Sequence, residues 1–181
     1  MKKALVIIDI QNDYFDTGRY PLQGSEKASV NAAVIIKKFR EQHLPVIYFQ
    51  HISKREKPNL FEKGTPGVEI HKNVKPLESE KVFTKHYPNA FRETELHSYL
   101  QSLEIDHLVV CGMMTHLCID ASVRAAKDLG YKISLVADAC ATRDLEVYDS
   151  IIDGAYIQLS FLAALGSYYA KILTTEDFLN S

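Results

Sequence analysis

The sequence predicts an α/β fold built on a largely parallel sheet. Short, nearly continuous apolar runs such as Ala4-Leu5-Val6-Ile7-Ile8 have the character of strands covered on both faces. Amphipathic stretches alternate with these runs, and the first places Ala28, Ala32, Ile35, Ile36 and Phe39 on one helical face. No internal repeat or long linker interrupts the pattern, and 181 residues suit one compact domain, so 1–181 reads as a single unit.

Taken in order, Ala4 to Ile8 is the first strand, and a helix follows Gly24-Ser25. Pro45 bars helix continuation, and Val46-Ile47-Tyr48-Phe49 is the second strand. The stretch from about 51 to 80 is the least regular, with Pro58, Gly64, Pro66, Gly67 and Pro76 among many charges. A loop of that length in a compact domain is often functional, though a plain solvated excursion fits as well. Lys81 to Thr84 is a short third strand, and Leu96, Tyr99, Leu100 and Leu103 mark a helix. His107 to Cys111 is the fourth strand, and a helix covers roughly 117 to 129. Lys132 to Ala137 is the fifth strand. Residues 143 to 153 give no clear pattern. A long helix through Ile157, Phe161 and Leu165, a sixth strand at Lys171 to Leu173 and a short helix over 175–179 complete the chain.

The composition excludes several classes. A net charge of -2 gives no reason to expect nucleic acid or an anionic membrane as partner. No apolar run approaches bilayer length. Asp9 breaks the N-terminal apolar stretch and no small-residue cleavage site follows, so a cytoplasmic location is the default. The three cysteines, Cys111, Cys118 and Cys140, have neither the number nor the spacing of a disulfide framework or a C-x-x-C zinc site.

Ligands of open parallel sheets bind beyond the carboxyl ends of the strands. Asp9 closes the first strand there, Gln50 and His51 the second, Lys85 and His86 the third, and Asp138 the fifth. Gly112 to Cys118 bridges the fourth strand and its helix. A carboxylate, an ammonium and a thiol thus reach one edge from separate segments. Singly, each has an ordinary role: Asp9 as a cap, Lys85 as a solvated lysine, Cys118 as a small core residue. Together they have the makings of an activated nucleophile. Cys118 falls in the first turn of its predicted helix, where free N–H groups and the helix dipole favour a thiolate. Lys85 is expected to lower the thiol pKa further, and Asp9 to receive the proton. Cys140, in Asp138-Ala139-Cys140-Ala141-Thr142, is the second candidate for reactivity.

Three segments resemble the isochorismatase-like cysteine hydrolases: Ala4 to Phe15, Val82 to Phe91 around Lys85, and Val109-Val110-Cys111-Gly112-Met113-Met114-Thr115-His116-Leu117-Cys118 followed by Ala121, Arg124 and Ala125. The resemblance implies a three-layer α/β/α domain with a six-stranded parallel sheet. It implies a catalytic set of Asp9, Lys85 and Cys118, and a non-proline cis peptide between Met113 and Met114. It also implies an oxyanion hole from the Met114 and Cys118 N–H groups, and a homodimer or homotetramer. Isochorismatases proper, which cleave a vinyl ether, lack a cysteine at the position matching Cys118, so a small-molecule amide is the expected substrate, cleaved through a thioester. Phe49-Gln50-His51-Ile52-Ser53 lacks the Asp-x-His metal motif of the related nicotinamidases, so neither metal nor cofactor is expected. Asp138 to Asp144 resembles the metal-free, streptothricin-hydrolase-like branch, and there Cys140 is structural.

For the pocket wall, Phe15, His51, Phe61, Tyr87 and Met113 are the candidates. Rival readings remain. A haloacid-dehalogenase-type phosphatase wants a second Asp where Gln11 stands. A nucleotide-binding domain wants a G-x-G-x-x-G or P-loop motif that the chain lacks. A silent or non-amidase member of the same family, a vinyl-ether hydrolase or a small-molecule binding protein, would carry the same three residues.

Overall fold

The computed structural model describes residues 2–180. Six strands, Lys3–Ile8 (β1), Val46–His51 (β2), Lys81–Lys85 (β3), His107–Met113 (β4), Lys132–Ala141 (β5) and the distant Lys171–Leu173, form one sheet. Between the last two come a small hairpin of Leu145–Val147 (β6) and Ser150–Ile152 (β7), which makes Lys171–Leu173 β8. The sheet order is β3-β2-β1-β4-β5-β8, and every neighbour pairs in parallel. The order reverses beside β1, which puts the topological switch, and hence the expected ligand crevice, between the ends of β1 and β4.

Helices cover both faces. Ser25–Glu41 (α1) and Thr175–Leu179 (α5) pack on one side with Ile7, Tyr48 and Val109. Leu96–Ser102 (α2), Asp120–Asp128 (α3) and Gly154–Tyr168 (α4) pack on the other with Val6, Phe49 and Leu135. Burial on both sides is why β1 is apolar at successive positions instead of alternating. α5 begins with a complete capping box between Thr174 and Asp177.

Three local features differ from the sequence expectation. The stretch 143–153 holds the antiparallel β6–β7 hairpin; strands of three residues are too short to show a period. β5 runs on to Ala141, through a register shift that pairs Val110 with Leu135 but Gly112 with Cys140. The segment before α3 is a π-helical turn, Thr115–Ile119, so Cys118 sits in that turn and not in the first turn of an α-helix.

The long 51–80 stretch is tied down by two buried polar side chains. The Gln11 amide donates to the carbonyls of His51 (2.9 Å) and Val68 (2.7 Å), while its oxygen accepts from the His51 N–H at 2.8 Å. Asp13 Oδ2 accepts from the Phe61 N–H at 2.7 Å. Gly67 packs so close to Asp13 that a Cβ there would fall 2.0 Å from Oδ1. Burying these groups is tolerable because most of their polar atoms are paired.

Candidate active site

β1 ends in Asp9, a fully buried residue with φ 53°. Aspartate is among the few residues that tolerate this left-handed conformation, at a cost of order 1–3 kcal/mol. Across from it, Gly112 (φ 136°) pairs with Ile8, and a Cβ at Gly112 would fall 2.0 Å from the Ile8 carbonyl oxygen. Glycine therefore lets the end of β4 lie against the end of β1, which brings the following turn beside Asp9. That turn is held from the other side by Thr115 Oγ1, which donates to the Ala141 carbonyl at 3.3 Å, and by His116 Nδ1, 2.5 Å from Thr142 Oγ1. Within it, the Met114 carbonyl accepts from the N–H groups of Leu117 and Ile119. The peptide between Met113 and Met114 is cis.

Lys85, at the end of β3, is fully buried and crosses under β2 to reach the centre. Its Nζ lies 2.7 Å from Asp9 Oδ2, 2.9 Å from the Tyr87 carbonyl oxygen, 3.0 Å from His51 Nδ1 and 3.3 Å from Cys118 Sγ. The contact with Asp9 Oδ2 is a short ion pair, while Asp9 Oδ1 has no hydrogen-bond partner among the described residues. The carboxylate is thus held by charge and keeps lone pairs free.

Burial raises the pKa of Asp9, but the Lys85 ammonium and then His51 outweigh it and hold the carboxyl below its ordinary value. Burial lowers that of Lys85, and Asp9 and Cys118 outweigh it, so the lysine stays charged. Cys118 goes the other way from the sequence expectation. Burial and the Asp9 carboxylate push its thiol well above the ordinary range, and Lys85 offsets this only in part. The resting site is therefore carboxylate, ammonium and thiol. This opposes the thiolate expected from a helix start and a lysine: the sulfur is 2% exposed and shares the lysine with Asp9.

Asp9, His51 and Cys118 bring potential metal-ligand atoms within 4.8 Å of one another. The Lys85 ammonium is within 3.3 Å of an atom of each of these three residues, so a cation there competes with a charge the protein already supplies.

Above the sulfur lies a cavity of about 430 Å³, walled by Tyr14, His51, Phe61, Tyr87, Leu117 and Cys118. Lys54, Arg55 and His86 also line it. Of the pocket candidates read from sequence, His51, Phe61 and Tyr87 line this cavity. Phe15 and Met113 do not. Phe15 stacks on His71 with centroids 3.6 Å apart and borders a separate depression of about 730 Å³ with Asn12 and Arg19. Met113 is fully buried in the core on the α1 side of the sheet, whereas Cys118 belongs to the core on the α3 side. Tyr14 and Leu117 escaped the sequence reading. Leu117 had a signal in the sequence, since it directly precedes the nucleophile candidate Cys118. Tyr14 had none beyond its motif. Cys140 is buried, and its thiol donates to the Val136 carbonyl at 3.4 Å.

A sheet switch point carrying a buried carboxylate, ammonium and thiol beneath a cavity describes a hydrolase-type site. Residues 3–176 match the isochorismatase domain family, and the chain belongs to it. It is 48% identical over 179 residues to the uncharacterized isochorismatase family protein YddQ of Bacillus subtilis, covering 99% of each chain. It is 28% identical to a streptothricin hydrolase of Streptomyces noursei, over 90% of this chain and 58% of that one. The solved N-carbamoylsarcosine amidase of Thermoplasma acidophilum superposes with a TM-score of 0.84 at 26% identity, over 97% of this chain and 98% of that one. No helix among the described residues is long and apolar enough to cross a membrane.

Proposed function

We propose that this hydrolase cleaves a small-molecule amide through a thioester on Cys118, with Asp9 as the base and Lys85 as the electrostatic partner. The observation that carries the reading is the contiguity of free carboxylate lone pairs, a buried ammonium and a thiol at the floor of one cavity. The amidase and hydrolase names among its relatives support it.

With the thiol pKa raised and that of Asp9 lowered, proton transfer in the resting enzyme is uphill. Thiol deprotonation therefore belongs to the same stage as attack. As sulfur bonds to the amide carbon, its proton passes to Asp9. The carbonyl π electrons move to oxygen, to which the Met114 and Cys118 N–H groups donate hydrogen bonds. The protonated Asp9 then delivers that proton to the departing nitrogen, and ammonia or an amine leaves. Water, deprotonated by Asp9, attacks the thioester; the acid departs and the thiol regains its proton. Lys85 stays charged throughout and stabilises negative charge on Asp9 or sulfur. Base catalysis of this kind typically contributes about 10²–10⁴-fold, and each oxyanion donor about 10²–10³-fold.

The test is intact-protein and peptide mass spectrometry during turnover of a panel of small amides and ureido compounds. A substrate-derived acyl mass on Cys118, absent in Cys118→Ala, is the expected result. Turnover that survives in Cys118→Ala overturns the covalent route, and turnover of a vinyl ether in place of every amide overturns the substrate class.

A further inference from the structure

The cavity above Cys118 is uneven in charge from floor to mouth. Its floor is neutral as a whole, since the Asp9 carboxylate and the Lys85 ammonium lie 2.7 Å apart and are both wholly buried. Lys54 and Arg55, in the segment after β2, line the cavity and are exposed, so they stand at its solvent end. Among the described residues no aspartate or glutamate lines it. Lys54 Nζ is 3.6 Å from Glu93 Oε2, but both side chains are more than half exposed, and water screens such a pair. Arg55 has no ion pair among the described residues; its backbone N–H donates to Ser53 Oγ at 3.3 Å, and its guanidinium is left over. The Arg92 guanidinium extends the positive side behind one wall, 3.7 Å from the Tyr87 ring centroid. His86 Nδ1 lies 2.7 Å from the Ile52 carbonyl oxygen. That oxygen can only accept, so Nδ1 carries a proton and Nε2 is the ring nitrogen left for a ligand.

We infer that the substrate is an anionic amide, with its carbonyl over Cys118 and a carboxylate at the mouth facing Arg55, with Lys54 and His86 beside it. This rests on the amide reading above and names the class within it. The planar guanidinium fork matches a carboxylate, and a cleft lined by one sign of charge concentrates ligands of the other. An ammonium at the same place would meet Lys54 and Arg55 with no lining acid to receive it.

The middle of the cavity sets the link between the two ends. Tyr14 and Phe61 meet edge-on with centroids 4.9 Å apart, and Leu117 and Pro88 also line the space. Rings and aliphatic groups offer contact area without a charge, so the link is short and apolar or flat. Within about 430 Å³ there is room for an amide, such a link and one acid group, the size of a small metabolite.

Matched probes test this by ligand-observed NMR titration of the full chain carrying Cys118→Ala, which keeps each amide uncleaved. Succinamate, succinamide and β-alaninamide share one link and differ in the charge at its end; terephthalamate, terephthalamide and para-aminomethylbenzamide do the same on a flat link. In at least one series the acid should bind about ten-fold more tightly than the neutral amide, with the ammonium weakest, and the gap should narrow in high salt. Arg55→Gln should remove most of the gap. Glu93→Gln should widen it by a few-fold, because it frees Lys54. Both positions are exposed, so circular dichroism should report an intact fold. Acids that bind no better than their neutral partners, or not at all, overturn the proposal, as does a gap indifferent to both substitutions. The amide reading is judged separately by the acyl mass on wild-type Cys118. Neutral amides that acylate it as readily as acids would overturn the charge preference and leave the thioester route standing.

Discussion

Two buried thiols lie at neighbouring strand ends of this molecule, and their difference shows what makes a cysteine useful. Cys118 follows β4 and Cys140 lies near the end of β5; both are under 10% exposed, and burial raises both pKa values, that of Cys140 to about 12. The Cys140 thiol donates to the Val136 carbonyl, lies against Gly112 of β4, and has as its charged neighbour the Asp138 carboxylate, whose Oδ1 already accepts from Thr175. Around Cys118 stand a lysine ammonium at 3.3 Å and a carboxylate with unused lone pairs. Neither is a ready thiolate. One has an acceptor for its proton and a cation to stabilise its anion, and the other does not. Proton inventory, not acidity, separates them.

The largest break of that comparison is deletion of each sulfur. Cys118→Ala should lower turnover of any substrate found by roughly 10³-fold or more, as removal of a nucleophile does elsewhere. Cys140→Ala should leave kcat/KM within a few-fold, with a stability loss of about 1 kcal/mol from the small void. Steady-state assays and urea unfolding of the two variants side by side check this. Comparable activity losses in both would mean that the neighbours of Cys118 confer nothing.

Asp9→Asn is the next effect in size. It removes the proton acceptor, for an expected loss of about 10²–10⁴-fold. It also leaves the Lys85 ammonium buried without its counter-charge, a change that typically costs about 3–5 kcal/mol. Pairing it with Lys85→Met separates the two. The double variant should be more stable than the sum of the singles predicts, while remaining as inactive as Asp9→Asn. The pH dependence carries the same signature. Because the Asp9 carboxyl is held below its unfolded value, its share of stability is full above about pH 4 and is lost as pH falls through the depressed folded value. The acid limb of kcat/KM should likewise lie below the ordinary carboxylate range. An acid limb near pH 6 would assign the base elsewhere.

Much of this site was legible because its chemistry sits where apolar strand runs stop. Asp9, Lys85 and the Gly112 to Cys118 segment each fall at or just past the C-terminal end of a strand, and the parallel sheet brings such positions to one edge. The β6–β7 hairpin was not legible, since Leu145-Glu146-Val147 and Ser150-Ile151-Ile152 are too short for alternation to show. Nor were Phe15 and Met113, whose placement depends on which side of the sheet a turn delivers them to. Gln11 and Asp13 were read only as part of a motif; their work, holding His51, Val68 and Phe61, is invisible without the folded loop. The upward pull on the Cys118 thiol was not legible for a related reason. Spacing shows that a lysine and a helix start are near, but not that the sulfur is dry and that Asp9 claims the same lysine.

The smallest effect is the most discriminating for that last point. Iodoacetamide reacts with thiolate, so labelling rate against pH reports the thiol's ionisation and access together. Cys118 and Cys140 should both label at least about ten-fold more slowly at pH 8.5 than an exposed cysteine of ordinary pKa, which is half ionised there. Lys85→Met should slow Cys118 by a further few-fold, because the ammonium 3.3 Å from the sulfur favours its anion, and should leave Cys140 unchanged. Peptide mass spectrometry resolves the two sites in one experiment. Rapid labelling of Cys118 at neutral pH would show a thiolate already formed at rest. Deprotonation would then precede substrate binding, and the concerted transfer to Asp9 would have to be abandoned even if the acyl-enzyme were found.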